Sequence, residues 1–148
     1  MQGAAMALDA VLGTAYLTAN TVLDLRSREI SVPVSALYAG IVLILRIARD
    51  GAAPLQLAAG LLPGAVLCLL SLIGKEKVGA GDGITVMALG LAMGFDGAFS
   101  VFFLGCLLAG AWSLLGMAAG KCRVTDSIPF MPFLLGAYLL RLAQTFAA

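Results

Sequence analysis

The charged residues of this chain fall in clusters, and the stretches between the clusters are long and apolar. Residues 4–23 carry one charge, Asp9, and close on Asp24-Leu25-Arg26-Ser27-Arg28-Glu29, while residues 32–47 form a second run closing on Arg46, Arg49 and Asp50. Residues 51–74 are free of charge and make a third run, followed by the loop Lys75-Glu76-Lys77-Val78-Gly79-Ala80-Gly81-Asp82. A fourth run, 83–95, has only 13 residues. That is too short for a hydrocarbon core that takes about 20 helical residues, unless neighbouring protein or water shields its ends. A fifth run lies within 97–120, residues 121–126 are polar, and a sixth run extends from 129 to 146. The pattern predicts an all-α polytopic membrane protein with about six transmembrane helices, the fourth short. No repeat or linker divides it, so residues 1–148 read as a single integral-membrane domain.

Composition sharpens this picture. Hydrophobic residues make up 61% of the chain and charged ones 11%, whereas soluble domains carry about 25% charged residues. Histidine is absent, which excludes a Ser-His-Asp triad, a Cys-His pair, an HExxH zinc site and a haem held by axial His. Nine basic against eight acidic residues leave no basic face for nucleic acid. Cys68, Cys106 and Cys122 are odd in number and form no CxxC, so they read as small packing residues rather than a disulfide framework or metal cluster. No Lys or Arg precedes Arg26, so the first run is expected to stay as a membrane helix rather than be cleaved as a signal. Pairs such as Gly60/Gly64, Gly90/Gly94 and Gly116/Gly120 read as places where helices approach closely.

Charge also sets orientation. Arg26, Arg28, Lys75, Lys77, Lys121 and Arg123 fall on one side of alternating spans, and Arg46, Arg49 and Arg141 on the other. The excess predicts that the first set is cytoplasmic and that both termini lie outside.

A carboxylate near hydrocarbon is costly, so each acid at a span boundary needs an account. Glu29, Asp50, Glu76 and Asp126 sit among basic neighbours in polar loops, and Asp9 and Asp96 lie at the outer ends of spans as structural groups. Asp24 and Asp82 remain, both on the predicted cytoplasmic side, where the first span ends and the fourth begins. Each has a plain reading: Asp82 as the N-cap of the next helix, Asp24 as part of an interfacial ion cluster with Arg26 and Arg28. Against the plain reading of Asp82 stands the run Gly79-Ala80-Gly81-Asp82-Gly83, whose glycines leave backbone open to an extended peptide. Two carboxylates held about 3 Å apart cannot both ionise; one then serves as base toward water and the other as acid toward a carbonyl. A helix start at Asp82 and a helix end at Asp24 would make Asp82 the more acidic member, with the titration belonging to the pair.

With these residues the chain resembles the type IV prepilin peptidases, membrane aspartyl proteases of the GxGD class. Gly79-Ala80-Gly81-Asp82, continued by Met87-Ala88-Leu89-Gly90, is similar to the second catalytic motif and the helix after it. Asp24-Leu25-Arg26-Ser27-Arg28-Glu29-Ile30 resembles the first motif, and Ile128-Pro129-Phe130-Met131-Pro132-Phe133-Leu134 resembles the Pro-Phe-x-Pro-Phe segment opening the last helix. The chain departs from the family at Ser31 and Val32, where Pro and Asn are common, and at Ile84, where Lys is common. It also holds no paired CxxC insert, the part associated with methylating the new pilin N-terminus, and so resembles the short enzymes of tight-adherence (Flp) pili and archaeal preflagellin peptidases.

The resemblance implies an aspartic endopeptidase with Asp24 and Asp82 as the catalytic pair, no metal and no organic cofactor. It implies a prepilin-like substrate, whose short charged leader precedes an apolar helix and is cut after a Gly at the cytoplasmic face of the plasma membrane. The lipid bilayer is the other partner, and nucleic acid is not one. Gly79, Gly81, Gly83, Arg26, Arg28, Pro129 and Pro132 are the candidate substrate-binding or site-shaping residues. Arg26, Arg28, Lys75 and Lys77 have charge suited to an acidic residue near the start of the mature pilin, although positive-inside anchoring accounts for them as well. Pro129 and Pro132 suit a helix start. Two other readings stand beside this one: a Ser71/Lys75 hydrolase pair at i,i+4 spacing, and a proton-coupled transporter or channel subunit with Asp24 and Asp82 as carriers.

Overall fold

A computed structural model describes residues 2–27, 30–73, 79–120 and 128–147. They form five helices: α1 (Gln2–Ser27), α2 (Val32–Asp50), α3 (Pro54–Ile73), α4 (Ala80–Ala118) and α5 (Met131–Ala147). The first four are long and apolar enough to cross a bilayer. The all-helical, polytopic membrane character therefore stands, but the expected count of about six helices is corrected. The fourth and fifth apolar runs are joined without a loop as two helical stretches of one element, α4, that meet at a kink.

The reason is Gly94. Its φ of 72° and ψ of −177° are non-helical, a combination in practice reserved for glycine. As one straight rod the 39 residues of α4 would reach nearly 60 Å at about 1.5 Å per residue. Instead the arm beyond Gly94 turns back toward the end where α4 begins: Phe102 meets Phe130 edge to face with centroids 6.1 Å apart, and Gly105 lies against Phe130 and Leu134 at the start of α5. Nothing lies within 4 Å of a Cβ built on Gly94, so an added methyl meets open space and its cost is purely conformational. Gly94→Ala is expected to lower stability by about 1–3 kcal/mol, the cost of holding a residue with a Cβ in this sparsely populated region, read as an earlier thermal unfolding midpoint in detergent.

Local signals set the other ends. Ser31 caps α2 by accepting the Val34 N–H at 3.4 Å, with Pro33 in the first turn. Gly51 ends α2 in the left-handed region at φ 58°, and the Ala52 N–H returns to the Arg46 carbonyl at 3.1 Å. Gly120, at φ 67°, follows α4 in the same conformation, so it serves as a chain turn rather than a packing contact.

The helices pack through missing side chains. α3 runs antiparallel to the first arm of α4, with Gly60 on Gly90, Gly64 on Met87 and Gly83, and Cys68 on Gly83. A Cβ on Gly60 or Gly90 would fall inside the other's backbone carbonyl, so the pair Gly90/Gly94 divides into one packing residue and one kink. The buried core joins Leu17, Leu89, Val86, Val101, Met131 and Leu134 from α1, α4 and α5. Tyr16 of α1 and Tyr38 of α2 stack at 4.1 Å.

The bundle has two distinct ends. One gathers the end of α1 with the starts of α2, α4 and α5. The other holds an ion-pair group in which Arg49 bonds Asp9 at 2.6 Å and Asp50 at 3.4 Å, and Arg46 bonds Asp50 at 3.0 Å. Asp9 thus has the structural role expected of it.

Candidate active site

Asp24 lies in the last turn of α1 and Asp82 in the first turn of α4. They are 58 positions apart in the chain, and the fold brings Asp24 near enough for its charge to act on Asp82. Both are half-buried.

The plain N-cap reading of Asp82 does not describe its position. The residue capping α4 is Gly79, at extended φ −64° and ψ 118° with no side-chain cap, and Asp82 is the third residue inside the helix. Its N–H is engaged by the Gly79 carbonyl at 3.1 Å. Asp24 is the aspartate that caps a helix, and the helix is α5 rather than its own. The Met131 N–H donates to Asp24 Oδ2 at 3.1 Å, filling one of the orphan donors of a helix start. Pro129 and Pro132 flank that donor and have no N–H of their own, while the Phe133 and Leu134 N–H groups both return to the Phe130 carbonyl. The prolines shape the helix start that meets Asp24. A helix start thus faces each aspartate, so the expected contrast of a helix start at Asp82 with a helix end at Asp24 does not describe their surroundings.

The glycines around Asp82 have separate neighbours. A Cβ on Gly81 would meet the Ile30 side chain at 2.6 Å, and one on Gly83 would meet Cys68 Sγ at 2.6 Å and the Gly64 carbonyl at 3.0 Å. Packing therefore covers two of the positions expected to offer open backbone, and Gly79 is the exposed one. Ile30 ties the stretch after Asp24 to the stretch before Asp82. Arg26, two residues on from Asp24 in α1, is exposed. Arg28, Lys75 and Lys77 lie outside the described residues, as do Cys122 and the lysine of the Ser71/Lys75 pair; Ser71 itself is buried. Among the described residues no three His, Cys, Asp or Glu side chains gather as a metal site.

Comparison with known families now bears on these residues. The model of the type IV leader peptidase family matches residues 11–114, a stretch that holds both aspartates and more than two thirds of the chain. The chain belongs to the type IV leader peptidase family. Family membership and the four long apolar helices together make it a membrane peptidase. No curated protein and no solved structure matches the chain. α5 lies beyond the stretch matched to the family, so its contact with Asp24 comes from the fold.

Sequence reasoning missed several groups near the family's two motifs. The Met131 N–H left no trace in the sequence, because any non-proline residue offers one. Asn20 and Thr85 did leave one: Asn20 stands four residues before Asp24, and Thr85 three after Asp82, spacings that put each on the same helix face as its aspartate.

Proposed function

We propose that this family member is an aspartic endopeptidase that removes the short leader of type IV prepilin-like substrates, with Asp24 and Asp82 acting together on water at the cytoplasmic face. The observation that carries the reading is the convergence of these acids from two helix ends, within the residues matched to the family. In the proposed reaction the ionised carboxylate takes a proton from water as the water oxygen attacks the scissile carbonyl carbon. The protonated partner gives its proton to the carbonyl oxygen, forming a tetrahedral diol. Collapse breaks the C–N bond, returns a proton from the diol to the carboxylate that gave one, and protonates the leaving amine from the carboxyl that gained one. The pair finishes with the single shared proton it began with.

The geometry suits a substrate whose scissile bond sits where an apolar helix leaves the bilayer, since both acids occupy one end of the bundle. The six-to-three excess of Lys and Arg that the order of apolar runs assigns to the Asp24 and Asp82 side supports its cytoplasmic assignment. In this reading the exposed Arg26 carries charge suited to an acidic residue near the new N-terminus. Purified protein in detergent is expected to cut a prepilin-like peptide at the leader junction, and mass spectrometry of the product is expected to find an unmethylated amine even with a methyl donor supplied. A methylated product would return the second activity to this chain.

The alternative, a proton-coupled transporter or channel subunit, is disfavoured by the same placement, because transporter sites usually lie near the bilayer midplane. Proton flux into reconstituted liposomes that disappears with Asp24→Asn, in a protein without peptidase activity, would reverse the choice.

A further inference from the structure

One helical turn in from the aspartates, α1, α2 and α4 enclose polar groups that the proposed reaction does not use. Asn20 and Thr85 are fully buried, with no exposed surface, and Thr21 is 8% exposed. Among the described residues, neither side-chain polar atom of Asn20, Nδ2 or Oδ1, nor the hydroxyl of Thr21 or Thr85 makes a hydrogen bond of good geometry. Asn20 and Thr85 come within loose hydrogen-bonding reach of the Tyr16 hydroxyl, but the well-formed bond of that hydroxyl is the one it donates to Ser35 Oγ at 2.8 Å, which leaves the Asn20 and Thr85 groups incompletely met. Each unmet buried polar atom costs about 1–3 kcal/mol, and a membrane interior offers no bulk water to reduce that cost. An amide brings two donors and one acceptor oxygen, and a threonine hydroxyl adds a donor and an acceptor. This is the partner set of an ordered water, which typically makes about three hydrogen bonds to groups left unsatisfied by the fold. The donors are neutral, so the cluster suits water rather than a metal ion.

We propose that Asn20 and Thr85 hold ordered water directly beneath Asp24 and Asp82, and that this water positions the two carboxylates for hydrolysis. The second half of the proposal rests on the aspartate reading above. Tyr16 orients the site, anchored by Ser35 on α2. The helix spacings supply the link: Tyr16, Asn20 and Asp24 recur every four residues on α1, and Asp82 and Thr85 lie three apart on α4, so water at the cluster faces the inner side of both acids. Asn20 and Thr85 are positioning residues, not catalytic ones.

Asn20 is the sole asparagine of the chain, so selective 15N-asparagine labelling marks one side chain. In the whole protein in lipid bilayers, water-edited solid-state NMR is expected to show rapid magnetisation transfer from water to the Asn20 amide. The same transfer is expected in Asp82→Ala protein, which lacks catalysis and adds no second asparagine, and a weaker one in Thr85→Val. In cleavage assays Thr85→Val is expected to lower kcat about tenfold, the worth of one hydrogen bond to a charged group, with KM little changed. Thr85→Ser, which keeps the hydroxyl, is expected to retain near wild-type kcat, and Asn20→Leu to behave like Thr85→Val. Should Asn20→Leu fail to fold, the Val and Ser variants at position 85 still decide the matter. A dry Asn20 amide overturns the water site. Water contact with an unchanged kcat in Thr85→Val overturns the positioning role, as does a rise in KM alone. Cleavage that survives Asp24→Asn overturns both the aspartate reading and the positioning role, while the NMR result judges the water site on its own.

Discussion

Asparagine at Asp24 or at Asp82 reduces cleavage of a prepilin-like substrate by about a thousandfold or more, the loss expected when one member of a catalytic unit is removed. The two single variants and the double variant then have similar residual rates, because groups that act as a unit lose their joint effect once either is gone. Asparagine is the informative substitution at Asp24 because its amide oxygen still accepts the Met131 N–H, which the carboxylate holds at 3.1 Å. Asp24→Asn therefore removes the charge and leaves α5 capped. Asp24→Ala removes both and is expected to lower stability by a further 1 kcal/mol or so, the usual worth of a cap. Matched cleavage assays and thermal unfolding in detergent separate the two losses. If Asp24→Asn cleaves at the wild-type rate and Asp24→Ala only unfolds earlier, Asp24 is a cap for α5 and nothing more.

Alanine at Gly60 or Gly90 is expected to unfold the protein at a temperature lower by on the order of 5–10 °C, with loss of activity following loss of fold. The cause is the crossing of α3 with the first arm of α4, where a Cβ on either glycine would enter the opposite backbone carbonyl. A flexible side chain can move aside; a carbonyl fixed in a helix cannot, so the helices must separate. Separation there also shifts α4, and with it Asp82, one face of whose helix is held on α3 through Gly83, Cys68 and Gly64. Gly40→Ala is the control. Nothing lies within 4 Å of a Cβ built at Gly40 in the middle of α2, and alanine there is expected to be neutral or to stabilise by up to about 1 kcal/mol through helix propensity. Equal unfolding temperatures for Gly90→Ala and Gly40→Ala would refute the close crossing.

The fold was legible wherever the physics is local. Apolar runs bounded by charges located the ends of α1, α2 and α3 within a few residues, because leaving the bilayer is a cost that each segment meets separately. The structure shows that Ser31, Pro33 and Gly51 set the ends of α2 for equally local reasons of capping and backbone angle. What the reading missed at 83–95 was the junction: hydropathy counts residues and is blind to the φ of Gly94, where this short stretch joins the next without a loop. It also treated Gly90 and Gly94 as one packing pair, since both are small and spaced by four, whereas the fold gives one a neighbouring backbone and the other open space.

For the site, the sequence by itself determined which acids were worth explaining. Asp24 and Asp82 stand at the edges of apolar runs in a chain without histidine, and a carboxylate in that place is retained only where it is used or paired. Tertiary structure decided what surrounds them: the start of α5 on Asp24, Ile30 over Gly81, α3 against Gly83, and the buried Asn20 and Thr85 beneath the pair. These contacts join residues as far as 107 positions apart. They were decided by how helices with few side chains at their crossings can approach one another, a property of the assembled bundle that no single segment carries.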